Sequence, residues 1–197
     1  MKVIIVGAGI SGLSTAIALG KSGHNVVVLD SAPELAELGA GVQMTPQAIR
    51  YLFQWGLKDD LLAQSIVPEK FYVKHYEDGE LLGTIPTGNM ATDYGAPYIL
   101  VHRAILHTIL HKHAVNAGAE VRLSSKVTQY DFPNASLTLQ NGVTLNADLI
   151  IAADGMPFPL AIMMANLTLV LRHQLICAKR TIGLVGSRLA ANGMGCH

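Results

Sequence analysis

Six residues near the start of the chain, Gly7-Ala8-Gly9-Ile10-Ser11-Gly12, place three glycines at the spacing G-x-G-x-x-G. Glycines so placed suit a backbone that bends sharply and admits a bulky anion. Gly7 serves the tight turn, Gly9 the close approach of a pyrophosphate, and Gly12 the close packing of a following helix on its strand. An acid, Asp30, follows eighteen residues after Gly12, where a carboxylate can accept hydrogen bonds from both hydroxyls of a ribose. Its charge also repels a 2′-phosphate, so the expected nucleotide carries an unphosphorylated adenosine, as in FAD or NAD.

The elements that must position these residues are legible around them. Val3 to Val6 is a continuous apolar run, as in a strand buried on both faces of a parallel sheet. Leu13, Ala16, Ile17 and Gly20 recur at helical spacing and predict a helix from about Ile10 to Lys21. The first N–H groups of that helix, with its dipole, favour a bound anion. Val26 to Leu29 is a second apolar run that ends at Asp30. Alone, the glycine pattern is also compatible with an ordinary Gly-rich turn. Strand, glycines, helix, second strand and terminal acid in this order favour a dinucleotide site.

Bulk composition bounds the remaining classes. The chain has 197 residues, half of them hydrophobic and 14% charged, enough for one sizeable core or one domain and part of a second. Its formal net charge of zero hides an asymmetry: all fourteen acids lie at or before Asp154, against ten Lys and Arg. Beyond Asp154 there are four bases, Arg172, Lys179, Arg180 and Arg188, and no acid. Neither part has the basic field that nucleic-acid binding requires. Cys177 and Cys196 lack C-x-x-C spacing, which argues against a zinc site or redox pair. A first core strand at residue 2 or 3 leaves no room for a secretory signal. The expected location is therefore cytoplasmic and reducing, with Asn134-Ala-Ser136 and Asn166-Leu-Thr168 as chance sequons.

After Asp30, Ser31 to Gln43 reads as a loop centred on Glu37-Leu38-Gly39-Ala40-Gly41-Val42-Gln43. Its glycines suit either a backbone lying against something flat or charged, or an ordinary glycine turn. Thr45-Pro46 reads as a helix start with Thr as cap, followed by the stripe Ala48, Ile49, Leu52, Phe53 and Trp55 and stopped by Gly56. Trp55 is expected in the core. From Phe71 to Gly88 the period is two, with a hairpin turn at Asp78-Gly79 and a return through Leu81 to Ile85, so the chain enters a second sheet. Met90 to Pro97 is expected to be loop.

Val101-His102-Arg103 is read as the start of a helix to about Ala117, stopped by Gly118, with Ile105, Leu106, Ile109, Leu110 and Ala114 buried. Arg103 lies in the first turn, where the dipole opposes a cation; an anionic partner would explain it, and so would a plain surface arginine. His107 and His111 stand at i, i+4 with His113 nearby, but no Cys or carboxylate completes a ligand set, so a polar helix face is expected. Glu120 to Leu123 reads as a strand beside the first two. Lys126 to Asp131 and Ser136 to Leu145, broken at Asn141-Gly142, read as an antiparallel meander. Ala147 to Ala153 is another buried parallel strand, and it delivers Asp154-Gly155 to the edge where this class of fold binds ligands.

Together these pieces resemble the FAD-dependent aromatic hydroxylases, especially the salicylate hydroxylase-like monooxygenases. The resemblance covers residues 2 to about 155. It rests on Gly7 to Leu13, Glu37 to Gln43 followed by Pro46, Val101-His102-Arg103 with Leu106, and Ala147 to Gly155. It implies an α/β fold: a Rossmann-like FAD-binding domain over residues 1–155 with parallel sheet and helices, an antiparallel meander, and the start of a substrate-domain sheet at about 68–98. It implies FAD held by Gly7, Ala8, Gly9, Ile10, Ser11 and Gly12, with Asp30 on the adenosine ribose. Gly41, Val42 and Gln43 would lie beside the flavin end, and Arg103 would reach the pyrophosphate or ring region. Asp154 and Gly155 resemble the family's Asp-Gly motif, associated with FAD pyrophosphate and NAD(P)H contacts. The implied reaction uses NADPH or NADH and O2 to hydroxylate a small phenol- or salicylate-like ring; the resemblance singles out no catalytic side chain and no metal.

The pattern stops after Gly155. The family's second flavin fingerprint, a Gly-Asp followed by His, Pro and glycines, has no counterpart, and Met156-Pro157-Phe158-Pro159 lacks the family's Ser and Arg. Residues 156–197 read as an atypical tail from truncation; the apolar run Leu160 to Leu171 is too short for a membrane span and meets Arg172-His173. Two expectations remain: a working FAD-dependent monooxygenase, or a truncated, non-catalytic nucleotide-binding remnant. A plain NAD-binding module would share Gly7 to Asp30 but leave Glu37 to Gln43 and Arg103 unexplained. No oligomeric state follows from the sequence.

Overall fold

The computed structural model describes residues 1–35, 39–131 and 133–155, and the backbone of 175–178 and 181–184. Glu37, Leu38 and the apolar run Leu160 to Leu171 lie outside the described residues. The chain forms two units, Met1–Leu35 with His111–His197, and Ala36–Leu110. The first opens with β1 (Lys2–Val6), α1 (Ile10–Lys21) and β2 (Asn25–Leu29). The second holds β3 (Gly41–Met44), α2 (Pro46–Gln54), α3 (Lys58–Ala63), β4 (Ser65–Ile66), β5 (Lys70–Lys74), β6 (Leu81–Pro86), α4 (Met90–Tyr94), β7 (Ile99–His102) and the start of α5 (Arg103–Asn116). The first unit is completed by β8 (Glu120–Arg122), β9 (Val127–Asp131), β10 (Ser136–Leu139), β11 (Thr144–Asn146), β12 (Leu149–Ala152), β13 (Leu175–Ala178) and β14 (Thr181–Leu184).

In the first unit the sheet order is β14-β13-β12-β1-β2-β8. The strands β12, β1, β2 and β8 run parallel, with Ile4 opposite both Val27 and Ile150. Apolar runs without alternation follow from cover on both faces. On one face Ile4, Val6, Val27, Leu29 and Ile150 cluster with Leu137, Leu139 and Ala147, with Val127, Tyr130 and Leu145 packed against them. That cover is the meander β9-β10-β11, as the sequence predicts. Alternation sends Val3, Ile5, Val26 and Val28 to the opposite face, where they are buried. Helix α1 packs on β1 and β2 with Leu13, Ala16 and Ile17 buried. Gly20 permits close approach of the chain after α5, since a Cβ there would lie 3.1 Å from that of Ala117. Beyond β12, the backbone of β13 and β14 extends the sheet antiparallel, two strands that the sequence reading did not anticipate.

The second unit corrects several expectations. Gly41 to Gln43 are strand rather than loop, because β7 supplies a ladder from Gly41 opposite His102 to Met44 opposite Ile99. Val101 and His102 therefore belong to that strand, and the helix starts two residues later than expected, at Arg103. Met90–Tyr94 is a helical turn, closed by Gly95 at φ +75°, where a loop was expected. Helices α2 and α3 pack together with Ile49, Leu52 and Leu61 buried. Helix α2 starts at Pro46 as predicted, although the Thr45 hydroxyl makes no capping bond, and Trp55 is only half-buried. The hairpin β5-β6 forms a two-stranded sheet whose turn holds Gly79 at φ +74°. His107 is buried rather than part of a polar face: it lies at i, i+3 and i+7 with the buried Leu110 and Ala114. Among the described residues no three His, Cys, Asp or Glu side chains could hold a metal, and no helix is long and apolar enough to cross a membrane.

Candidate dinucleotide-binding site

The three glycines after β1 are required in three different ways. Gly7 has φ +106°, and a Cβ on it would lie 2.6 Å from the Ala153 carbonyl carbon and 2.9 Å from Asp154 Cα. Its N–H donates to the Leu29 carbonyl at 2.7 Å, so the turn is tied to the end of β2 while pressed against the end of β12. A Cβ on Gly12 would collide with the Gly7 carbonyl oxygen and lie 3.5 Å from Ala153 Cβ. Helix α1 thus packs against the turn itself as well as the strand ends. Gly9 is different, since a Cβ there would meet nothing within 4 Å. It is the N-cap of α1, with φ −70° and ψ −177°, and it offers no side-chain cap. The N–H groups of Ile10, Ser11 and Gly12 therefore open a helix whose first turn holds no acid, facing space that the described residues leave unfilled. Ile10 is half-buried, Ser11 exposed, and Thr15 ties the turn by donating to the Ser11 carbonyl at 2.8 Å.

Two carboxylates flank this loop. Asp30 Oδ2 accepts from the Ala8 N–H at 2.6 Å and Oδ1 from the Ala32 N–H at 2.8 Å. Each oxygen keeps acceptor capacity after these bonds, so the group is fixed in place and able to receive hydroxyl donors. Asp154, just beyond β12, is half-buried, and its Oδ1 is a buried atom with no hydrogen-bond partner among the described residues. Burial lifts its carboxyl above the usual range, partly offset by a hydrogen bond from its own backbone. Tyr130, on the meander, has its hydroxyl raised above its ordinary pKa, first by burial and then by the Asp154 charge. Gly155, next in the chain, has φ +74° and is exposed. An open helix start, a fixed acceptor and an orphaned acceptor fit a ligand that carries both a pyrophosphate and hydroxyls.

Within the second unit the structure joins two motifs that lie far apart in the sequence. Gly41, Val42 and Gln43 pair with His102, Val101 and Leu100, and the Arg103 N–H donates to the Ala40 carbonyl at 3.2 Å. Gly39 lies against the Arg103 stem, because a Cβ there would come within 2.8 Å of Cδ and 3.0 Å of Cβ. His102 Nδ1 accepts from the Ala104 N–H at 3.3 Å and so caps the helix that carries Arg103. Tyr98, which the sequence reading passed over, donates its hydroxyl to Gln43 Oε1 at 2.7 Å and packs edge-on against Phe71. Its signal was its place two residues before Leu100, the partner of Gln43, which requires knowing the register.

Comparison with known proteins agrees with this geometry. Residues 1–159 match the family model described as FAD binding domain. The chain is 35% identical to the 3-amino-4-hydroxybenzoate 2-monooxygenase of Streptomyces cremeus over 161 residues, which cover 79% of this chain and 40% of that protein. A crystal structure of 2-methyl-3-hydroxypyridine-5-carboxylic acid oxygenase superposes with a TM-score of 0.69 at 31% identity, covering 79% of this chain and 40% of the other. CtdE in complex with FAD and a substrate gives a TM-score of 0.69 at 28% identity, over 79% of this chain and 38% of the other. The chain thus spans about 40% of the length of the relatives it matches. A family match over 159 of 197 residues, on a chain whose glycine turn and acids fit a dinucleotide, means that this chain belongs to the FAD-binding domain family.

Proposed function

We propose that this chain binds FAD and serves an FAD-dependent monooxygenase that hydroxylates a small aromatic substrate of phenol or salicylate type, with NADPH or NADH as reductant. The observation that carries the binding half is the unfilled space at Gly9 in front of the α1 N-terminus, flanked by acceptors on Asp30 and Asp154. The aromatic substrate class is supported by the printed activities of similar proteins, among them 3-hydroxybenzoate 6-hydroxylase.

Bound FAD supplies the redox chemistry: NAD(P)H and O2 are consumed, one oxygen atom enters the ring and the other leaves as water. The chain's residues do the holding. The N–H groups of Ile10, Ser11 and Gly12 stabilise the pyrophosphate, while Asp30 receives the adenosine ribose hydroxyls and disfavours a 2′-phosphate there. Asp154 Oδ1 accepts from a hydroxyl of the dinucleotide, with Gly155 keeping the backbone near it open. Arg103 supplies a cation to the pyrophosphate or ring region, and Gly41 to Gln43 serve the flavin end. The site of action in this reading is the cytoplasm. A second reading is a nucleotide-binding protein without turnover, with which the 40% coverage of the relatives is consistent.

Visible absorption of the purified chain with and without FAD, followed by NADPH oxidation with simple phenols, tests both readings. Flavin bands that stay with the protein and bleach with NADPH, with hydroxylated product, support the monooxygenase. Bound flavin without turnover supports the second reading. A colourless chain that ignores added FAD refutes both.

A further inference from the structure

Gln43 stands at the end of the short sheet β3-β7-β4 and is exposed, yet its amide is not free to turn. In the antiparallel register Gln43 faces Leu100, which places Tyr98 on the same face at the diagonal position. Tyr98 reaches across and donates its hydroxyl to Gln43 Oε1 at 2.7 Å. Phe71 holds the Tyr98 ring from the side, with centroids 5.2 Å apart and an interplanar angle of 79°. An amide has one acceptor end and one donor end. With the oxygen held by Tyr98, the end placed to donate to a further partner is the NH2 group.

We propose that Tyr98 is a positioning residue: braced by Phe71, it fixes the orientation of the Gln43 amide so that this side chain presents its NH2 donors to a bound flavin. The inference rests on the reading of Gly41 to Gln43 as the flavin end of the FAD site. The oxidised isoalloxazine ring carries two carbonyl oxygens and two imine nitrogens as acceptors against a single N–H donor, so an amide that turns its NH2 group to the ring complements most of its polar edge. A hydroxyl on Tyr98 is what this demands; a Phe at the same position would keep the ring contact and free the amide.

The test is calorimetric titration of the 197-residue chain and three variants, Tyr98→Phe, Gln43→Ala and the double variant, with FAD and separately with ADP, which lacks the flavin. Tyr98→Phe and Gln43→Ala are each expected to weaken FAD by about three- to tenfold, the range of one hydrogen bond, with ADP affinity unchanged. The double variant is expected to be no weaker than Gln43→Ala, because the hydroxyl acts only through the amide. A shift of the bound flavin's visible bands in Tyr98→Phe accompanies this, a change that lost strand stability alone would not cause. If Gln43→Ala weakens FAD while Tyr98→Phe binds it as the parent does, the positioning role is overturned and the flavin-end reading stands. If the parent binds FAD no more tightly than ADP, or Gln43→Ala leaves FAD binding unchanged, the reading beneath the proposal fails and the proposal with it.

Discussion

Replacing Gly9 with alanine separates two demands that a glycine-rich turn normally confounds. At φ −70° and ψ −177° any residue is allowed, and the added Cβ meets no atom of the described residues within 4 Å. Losing glycine's freedom in the unfolded chain stabilises by about 0.4–1 kcal/mol, and a poorer N-cap offsets that by a similar amount. The net effect on the ligand-free chain is within about 1 kcal/mol, or roughly 2–4 °C in melting temperature. Binding should behave otherwise. The methyl occupies the space into which a pyrophosphate must come, lengthening charge-assisted bonds worth about 1.5–3 kcal/mol each. Loss of one such bond weakens FAD by roughly 10- to 150-fold. The contrasting variant is Gly12→Ala, whose Cβ collides with the Gly7 carbonyl. Overpacking of about 1–3 kcal/mol lowers its melting temperature by roughly 2–12 °C before any ligand is added. Thermal unfolding without ligand and calorimetry with FAD read the two effects separately. A Gly9→Ala chain with parental FAD affinity would refute the placement of the phosphates; one that melts far below the parent would refute the claim that the space belongs to the ligand.

Asp30→Ala should weaken both FAD and ADP, and should narrow the preference for ADP over 2′-phospho-ADP because the repelling charge is gone; an unchanged preference in competition titrations assigns the selectivity elsewhere. Arg103→Ala should weaken FAD by about 1–3 kcal/mol if its guanidinium makes a charge-assisted bond. Gly39→Ala, which presses on the Arg103 stem, should reproduce part of that loss, and parental titrations of both variants would return Arg103 to an ordinary surface role. Asp154 predicts a pH dependence. Its folded carboxyl pKa lies above its ordinary value of about 3.8, so folding takes up a proton between that value and the raised one, and stability falls as pH rises through that window. Asp154→Asn lacks this penalty; without ligand it should melt above the parent at neutral pH, with the advantage shrinking on acidification through the window. Melting curves from about pH 3 to about pH 7 check this, and an offset independent of pH would show that the charge is not its source.

The nucleotide unit was legible because each part is encoded locally. Val3 to Val6 and Val26 to Leu29 are apolar without interruption, Leu13, Ala16 and Ile17 mark a helix face, and the glycines stand between them. The meander was legible for the same reason, through alternation and the Asn141-Gly142 turn. In the second unit the deciding contacts are between residues distant in sequence. Gly41 to Met44 is short and begins with a glycine, and only pairing with Ile99–His102 makes it a strand. Val101 and His102 directly precede a helix, so their apolar and polar pattern merges with its first turn. His107 suggests a polar face by residue type, but its position three and seven residues before the buried Leu110 and Ala114 puts it on the buried side of the helix.

Neither the unfilled space at Gly9 nor the orphaned oxygen of Asp154 could be read from residue types, since both depend on what surrounds a single atom. They also distinguish ligand-directed features from structural ones within the same turn. A Cβ on Gly7 or Gly12 would meet the chain's own backbone, so folding alone explains those glycines. Asp30 has its two backbone donors, so folding also explains much of its placement. A buried carboxylate oxygen without a donor costs free energy that an apolar residue in its place would avoid. Among the described residues folding accounts for Gly7, Gly12 and much of the placement of Asp30, and it leaves Gly9 and Asp154 Oδ1 without a reason; the proposed nucleotide, bringing an anion to the first and a donor to the second, would supply both.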